Sequence, residues 1–142
     1  MKAVRSLLRI LGALLLVAIA GMAGLWFFGP SPCGNDLLAE IVSPDSTKKI
    51  VVFQRDCGAT TGFSTQASLL DADEKLENEK GNIFEADTNH GAAPSGIGGG
   101  PAVTVVWDSG RSVVVVHHPN ARLLKAEQEV SGVRFSYLNS GT

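Results

Sequence analysis

The chain has 142 residues, a mass of 14.9 kDa, a formal net charge of −2 and 44% hydrophobic residues. Three of the 12 basic residues precede residue 10 and all 14 acidic residues lie beyond residue 30, so the chain from Cys33 onward has a net charge of −5. This acidity disfavours nucleic acid as a partner, since binding to phosphate backbones depends on Lys and Arg. The length predicts one small domain plus a short additional segment.

The additional segment is the uncharged stretch from Ile10 to Gly29. As a helix it would span about 30 Å, which matches the hydrocarbon core of a bilayer. Because all three early basic residues precede it, the positive-inside tendency predicts a cytoplasmic N-terminus and an exported C-terminal part. Trp26, Phe27 and Phe28 lie at its outer end, where aromatic side chains favour the headgroup level. The predicted organisation is a cytoplasmic basic tail at 1–9, a transmembrane anchor at 10–29, a spacer at 30–32 and an exported domain at 33–142.

Two alternatives to an uncleaved anchor stay open. A cleaved signal peptide would use the small residues at Ala18-Ile-Ala20 or Gly21-Met-Ala23, although the apolar run is longer than such peptides need. Lipidation of Cys33 is disfavoured because Pro30-Ser31-Pro32 precedes it instead of small and leucine-containing residues.

Cys33 and Cys57 are the only cysteines, and the predicted topology places both in an oxidising compartment. The simplest interpretation is one disulfide between them. The alternative is a nucleophilic Cys57 with His90, His117 or His118 as its base, for which no characteristic spacing is present.

The exported part alternates strand-like segments with turn signals and has no convincing second helix. We predict an all-β domain, a small antiparallel meander or sandwich of about seven strands. Alternation along 63–69 favours a sheet with one buried face, and the Gly-rich stretch 88–101 favours a long exposed loop. Residues 122–129 and 133–138 favour a hairpin around Ser131-Gly132, although residues 122–129 would also tolerate a helix. The strand candidates are 37–43, 48–55, 63–69, 82–87, 102–107, 112–117, 122–129 and 133–138.

The candidate site residues lie in two loops. Arg55, Asp56, Thr60 and Thr61 flank Cys57 in a loop rich in glycine and hydroxyls, which we interpret as a possible interaction loop. Asp87 and His90 are weak metal-ligand candidates, because zinc needs three or four protein ligands and no others are near in sequence. His117 and His118 are adjacent and would point to opposite faces of a strand. We predict neither a bound metal nor a cofactor.

One block of the sequence carries a resemblance. Ser43-Pro-Asp45, the apolar strand after it and Arg55-Asp-Cys-Gly-Ala-Thr-Thr61 resemble a group of uncharacterised small bacterial envelope proteins. Asn82–Asp87, Trp107 and Ala121-Arg122 are similar too, whereas Ser46 stands where the group's turn usually carries Gly. The resemblance implies a bacterial origin and an exported domain, and it implies no activity.

These observations lead to two functional hypotheses. The first is a single-pass protein of the bacterial inner (cytoplasmic) membrane whose periplasmic or extracellular domain is a non-enzymatic binding module for an envelope protein. The second is a small envelope enzyme that uses Cys57 as a thiol or a metal near His90. We favour the first, because the second lacks a coherent set of catalytic groups.

Overall fold

The computed structural model describes residues 2–28, 32–58 and 61–141. The chain divides into two compact units, 1–31 and 32–142. In the first unit, a helix α1 extends from Lys2 to Phe28. Its stretch Val4–Gly24 is long and apolar enough to cross a membrane, with a mean hydropathy of 2.2. The helix thus begins before the uncharged stretch and includes the basic residues that precede it.

The described residues of the second unit form nine strands, which confirms the predicted all-β class after an N-terminal helix. One sheet has five strands in the order β1-β2-β3-β4-β7, all antiparallel. The other has four, in the order β5-β6-β9-β8. The strands are β1 Gly34–Val42, β2 Lys48–Asp56, β3 Ser64–Asp71, β4 Phe84–Asp87, β5 Val103–Ser109, β6 Ser112–His117, β7 Arg122–Ala126, β8 Glu129–Val130 and β9 Val133–Asn139.

A single hydrophobic core joins the two sheets and makes the unit a β-sandwich. Its members alternate along each strand, as expected where one face of a strand points inward. Phe84 in the short strand β4 is completely buried, and its ring lies against the rings of His117 and Tyr137 from the other sheet. The buried core consists of Ile50, Val52, Ala67, Leu69, Ile83, Phe84, Ala86, Val105, Val113, Val115, Val133 and Phe135.

The turn between β1 and β2 is organised by Asp45. Its carboxylate accepts hydrogen bonds from the Ser43 hydroxyl at 2.7 Å and from the backbone and hydroxyl of Thr47 at 3.1 and 2.9 Å. These hydrogen bonds favour the ionised form, so they hold the pKa of Asp45 below its usual value. Ser46 has a φ of 57°, a conformation that glycine adopts more readily than serine.

The prediction of one buried sheet face is wrong for β3, because both faces of this strand are buried. The connector, residues 72–82, lies along the outer face of β3 and forms hydrogen bonds with the polar side chains on that face. Gln66 accepts a hydrogen bond from the Gly81 backbone at 2.7 Å, and Ser68 accepts one from the Asn82 backbone at 3.2 Å. Polar residues at alternate positions therefore mark a buried polar layer here and not a solvated face.

The Gly-rich stretch is also less exposed than predicted. Gly100 and Pro101 are buried, and the Thr65 hydroxyl donates a hydrogen bond to the Pro101 carbonyl at 2.7 Å. A Cβ atom at Gly100 would lie 2.5 Å from the Thr65 backbone nitrogen. The glycines thus allow this loop to lie directly on the backbone of β3.

The last predicted hairpin is only partly present. Ser131 and Gly132, both with positive φ, connect the short strand β8 to β9, but β7 pairs with β4 in the other sheet. The long partner of β9 is β6, to which it runs parallel. Local turn chemistry indicated the turn correctly, whereas the partner of β9 is set by packing between distant segments.

Candidate functional site

The disulfide between Cys33 and Cys57 is present, as predicted. The last pair in the ladder between β1 and β2 is Gly34 with Asp56, and the two cysteines are the next residue on each strand. The bond therefore closes the open end of this hairpin. Among the described residues no cysteine is free, so Cys57 has no thiolate to offer as a nucleophile in this state.

Arg55 lies in β2, in agreement with the strand predicted at 48–55, but its side chain is only 7% exposed and not on the open surface of an interaction loop. Its Nη1 donates hydrogen bonds to Asn35 Oδ1 at 2.6 Å, to Asn78 Oδ1 at 3.2 Å and to the Glu79 carbonyl at 3.1 Å. It thereby joins β1, β2 and the connector. Its Nε has no hydrogen-bond partner in the part of the chain that the structure describes.

The other members of the predicted loop organise their own turn. Asp56 Oδ1 accepts a hydrogen bond from the Gly58 backbone at 2.9 Å, and the Thr61 hydroxyl donates one to the Gly58 carbonyl at 3.1 Å. Gly58 has a φ of 95°. Thr61 is exposed, whereas Thr60 lies outside the described residues. Loop hydroxyls here satisfy local backbone groups.

Asp87 lies at the end of β4 and forms an ion pair with Arg122 at the start of β7. Arg122 Nε donates to both carboxylate oxygens at 3.1 Å, and its Nη2 makes a further hydrogen bond to Oδ2. Asp87 also accepts a hydrogen bond from the Asn89 backbone at 2.8 Å. The hydrogen bonds between these two side chains lower the pKa of Asp87 and raise the pKa of Arg122.

The metal candidates Asp87 and His90 gain no further ligands from the described part of the fold. His90 is exposed and has a φ of 56°. Within residues 2–28, 32–58 and 61–141, no group of three His, Cys, Asp or Glu side chains could hold an ion. His117 is buried while His118 accepts a hydrogen bond from the Asn120 backbone, so the two adjacent histidines serve different surroundings.

These separate residues meet around one polar cleft, which we call the disulfide-end cleft. Its walls include Arg55, Cys57, Thr61, Glu85, Asp87 and Arg122, and its volume is about 340 Å³. A second cavity of about 290 Å³ shares Gly62, Asp87 and Arg122 with it and reaches Phe63 and His90. The sequence places Arg55, Cys57 and Thr61 in one loop but does not bring Asp87 or Arg122 near it. The pairing of β4 with β3 and with β7 brings Asp87 and Arg122 to the start of β3.

A second surface, the apolar groove, was not predicted. It has a volume of about 410 Å³ and lies between β1 and the Gly-rich loop, with Leu37, Leu38, Ile97, Pro101 and Val103 among its walls. Ile97 is fully exposed at the tip of a tight turn closed by a hydrogen bond from Gly96 N to Gly100 O at 2.7 Å. The signal that could have indicated this turn is the isolated isoleucine within Gly96-Ile-Gly-Gly-Gly100.

Comparison with known proteins finds no matching family model, no matching curated protein and no matching solved structure. The fold and the cleft therefore define only the class of protein to which this chain belongs. It is a disulfide-bonded β-sandwich, preceded by a helix that is suited to membrane anchoring, with a charged cleft beside the disulfide.

Proposed function

We propose that this protein is a membrane-anchored binding module of the bacterial cell envelope, with a cytoplasmic N-terminus and an exported sandwich domain. The anchor is supported by the span Val4–Gly24, and an oxidising location by the Cys33–Cys57 bond. The basic residues Lys2, Arg5 and Arg9 precede most of the apolar span, which favours this orientation. The envelope assignment also rests on the resemblance of residues 43–61.

The observation that carries the binding role is the disulfide-end cleft. Charged side chains from β2, β4, β7 and the connector converge on it, although they are far apart in sequence. A cleft with a few convergent polar groups is the usual form of a recognition site. The enzyme alternative would require either reduction of the disulfide at Cys57 or metal ligands beyond Asp87 and His90.

Photocrosslinking in cells tests the role of the cleft. A photoreactive phenylalanine analogue at Thr61, in the full chain, should give an adduct of defined mass, while the same analogue at Val106 should not. Val106 is an exposed residue of β5 outside the cleft. The adduct should disappear with Arg122→Gln and persist with Arg134→Gln, an exposed arginine on β9. Equal adducts at both positions, or none at Thr61, would contradict the proposal.

The intact mass of the protein from the membrane fraction, alkylated without reduction, tests the anchor. An uncleaved chain without alkyl groups is expected. A mass lacking the first twenty or so residues would identify a cleaved signal peptide. Two alkyl groups would identify free thiols and would favour the enzyme alternative.

A further inference from the structure

We infer that the disulfide-end cleft binds a carboxylate group through the side chain of Arg55. This inference rests on the proposed function and deepens it, because it names the chemistry of the ligand. The observations that carry it are the burial of the guanidinium, its lack of a counterion among the described residues and its unused donor Nη2.

Within the part of the chain that the structure describes, Arg55 is a buried cation without an anionic partner. Its three hydrogen-bond acceptors, Asn35, Asn78 and the Glu79 carbonyl, are all neutral groups. No carboxylate lies within 4.0 Å of it among the described residues, whose ion pairs all involve other cations. Since buried charges in proteins are normally paired, this arrangement leaves a place for an external anion.

The donor of Arg55 that is left for a ligand is Nη2. Only Nη1 makes hydrogen bonds to described residues, while Nε is buried and has no partner. Nε is too buried for a ligand atom to reach it, whereas Nη2 is not among the buried atoms without a partner. A carboxylate in the cleft can therefore accept a charge-assisted hydrogen bond from Nη2.

The charge and size of the cleft fit a small monoanion. Its other charged wall residues are already paired, Lys80 with Glu85 at 3.8 Å and Arg122 with Asp87. The wall therefore has a net charge of +1, in a domain whose overall charge is −5. A volume of about 340 Å³ is within the range of small-molecule sites. These features favour a single carboxylate, either on a small molecule or at the C-terminus of a peptide.

The first test uses NMR on the full-length, ¹⁵N-labelled protein in detergent micelles. The side-chain Nε–H resonance of Arg55, assigned by its loss in Arg55→Lys, is followed during titration with acetate and with sodium chloride. Acetate should produce a saturating shift in roughly the millimolar range, and chloride should not. A short peptide with a free C-terminus, compared with its C-terminal amide, distinguishes a peptide end from a small molecule. An Arg55 resonance that acetate and the free peptide leave unchanged would overturn the inference.

A second test places a competing carboxylate in the cleft. Thr61→Glu should abolish the response to acetate, because the new side chain supplies the missing counterion. Thr104→Glu makes the same substitution at an exposed threonine of β5 and should leave the response intact. A persistent response in Thr61→Glu would show that acetate binds elsewhere. If the adduct at Thr61 forms in cells while acetate has no effect, the carboxylate inference fails and the binding role stands. If acetate shifts the Arg55 resonance while no adduct forms at Thr61 in cells, the carboxylate inference stands and the proposed binding role in cells is contradicted.

Discussion

Tyr137 is the only tyrosine of the chain and links the two sheets. Its hydroxyl lies 3.1 Å from the carbonyl oxygen of Ile83, just before β4, and 2.7 Å from that of Glu127, just after β7. Its ring stacks on Phe84 with a centroid distance of 6.0 Å. Burial, with a smaller contribution from the charge of Glu127, raises the pKa of Tyr137 to about 12.

This shift predicts a loss of stability at high pH. The unfolded chain ionises Tyr137 near its ordinary pKa of 10.0, whereas the folded protein keeps it neutral up to about 12. The contribution of Tyr137 to the free energy of unfolding is therefore complete below pH 10 and is lost as the pH rises toward 12. The tyrosinate absorbance of the folded protein should titrate near pH 12. Tyr137→Phe should remove this part of the pH dependence, and titration near pH 10 would contradict the prediction.

Single residues differ in how far the sequence predicts their role. The Cys33–Cys57 bond followed from the predicted compartment and the even number of cysteines. The burial of Arg55 could not be predicted, because its acceptors lie 20 to 24 residues away along the chain. Its sequence neighbours, Asp56 and Cys57, suggest a loop and contain no indication of the connector that covers it.

At the scale of elements, the Gly-rich loop shows why three consecutive glycines are needed. A Cβ atom at Gly98 would lie 2.7 Å from Gln54 Oε1, and one at Gly99 would lie 2.7 Å from the ring of Phe63. At Gly100 the nearest atoms are the backbone nitrogen and the hydroxyl of Thr65, both at 2.5 Å, and the backbone of β3 cannot move aside as a flexible side chain can. The loop therefore packs against the sheet only because these three positions have no side chains.

The substitution Gly100→Ala should destabilise the domain by about 1–3 kcal/mol, since the added methyl group has no space. Gly62→Ala is the matched control, because a Cβ atom there meets nothing within 4 Å. Its effect should stay within roughly 0.5–1 kcal/mol. Urea unfolding of both variants in the full chain measures the difference. Equal stabilities would mean that the loop does not lie on β3 as described.

The elements that sequence predicts best are those with local turn signals. The β1–β2 turn at Ser43–Ser46 and the β5–β6 turn at Gly110-Arg111 both lie in short stretches of residues that are typical of turns. The parallel pairing of β6 with β9 has no such local signal, because β7 and β8 separate residues 112–117 from residues 134–139 in the sequence. Strand identity depends on local pattern, whereas strand partners depend on the packing of the complete core.

At the scale of the whole molecule, the disulfide compensates for the small size of the exported domain. A domain of about 110 residues has a net stability of only about 5–15 kcal/mol. In the chain-entropy description, closing a loop with a sequence separation of 24 residues contributes roughly 3.5 kcal/mol. The bond therefore contributes a substantial part of the net stability of this small domain.

Replacing both cysteines, as Cys33→Ser with Cys57→Ser, should lower the free energy of unfolding by roughly 3.5 kcal/mol. A reductant should have a similar effect on the wild-type protein and no effect on the double variant. Denaturant unfolding with and without reductant measures both quantities. A wild-type midpoint that does not change on reduction would contradict the stabilising role.

The position of the disulfide also decides how the protein responds to mechanical force. β1 is an edge strand, and the chain enters it at Cys33. Without the bond, tension on the N-terminal side would peel β1 from β2 one residue pair at a time. With the bond, tension passes from Cys33 directly to Cys57, so residues 34–56 lie outside the path of the load. The hairpin between β1 and β2 is thereby protected from unzipping for as long as the two sulfurs stay joined.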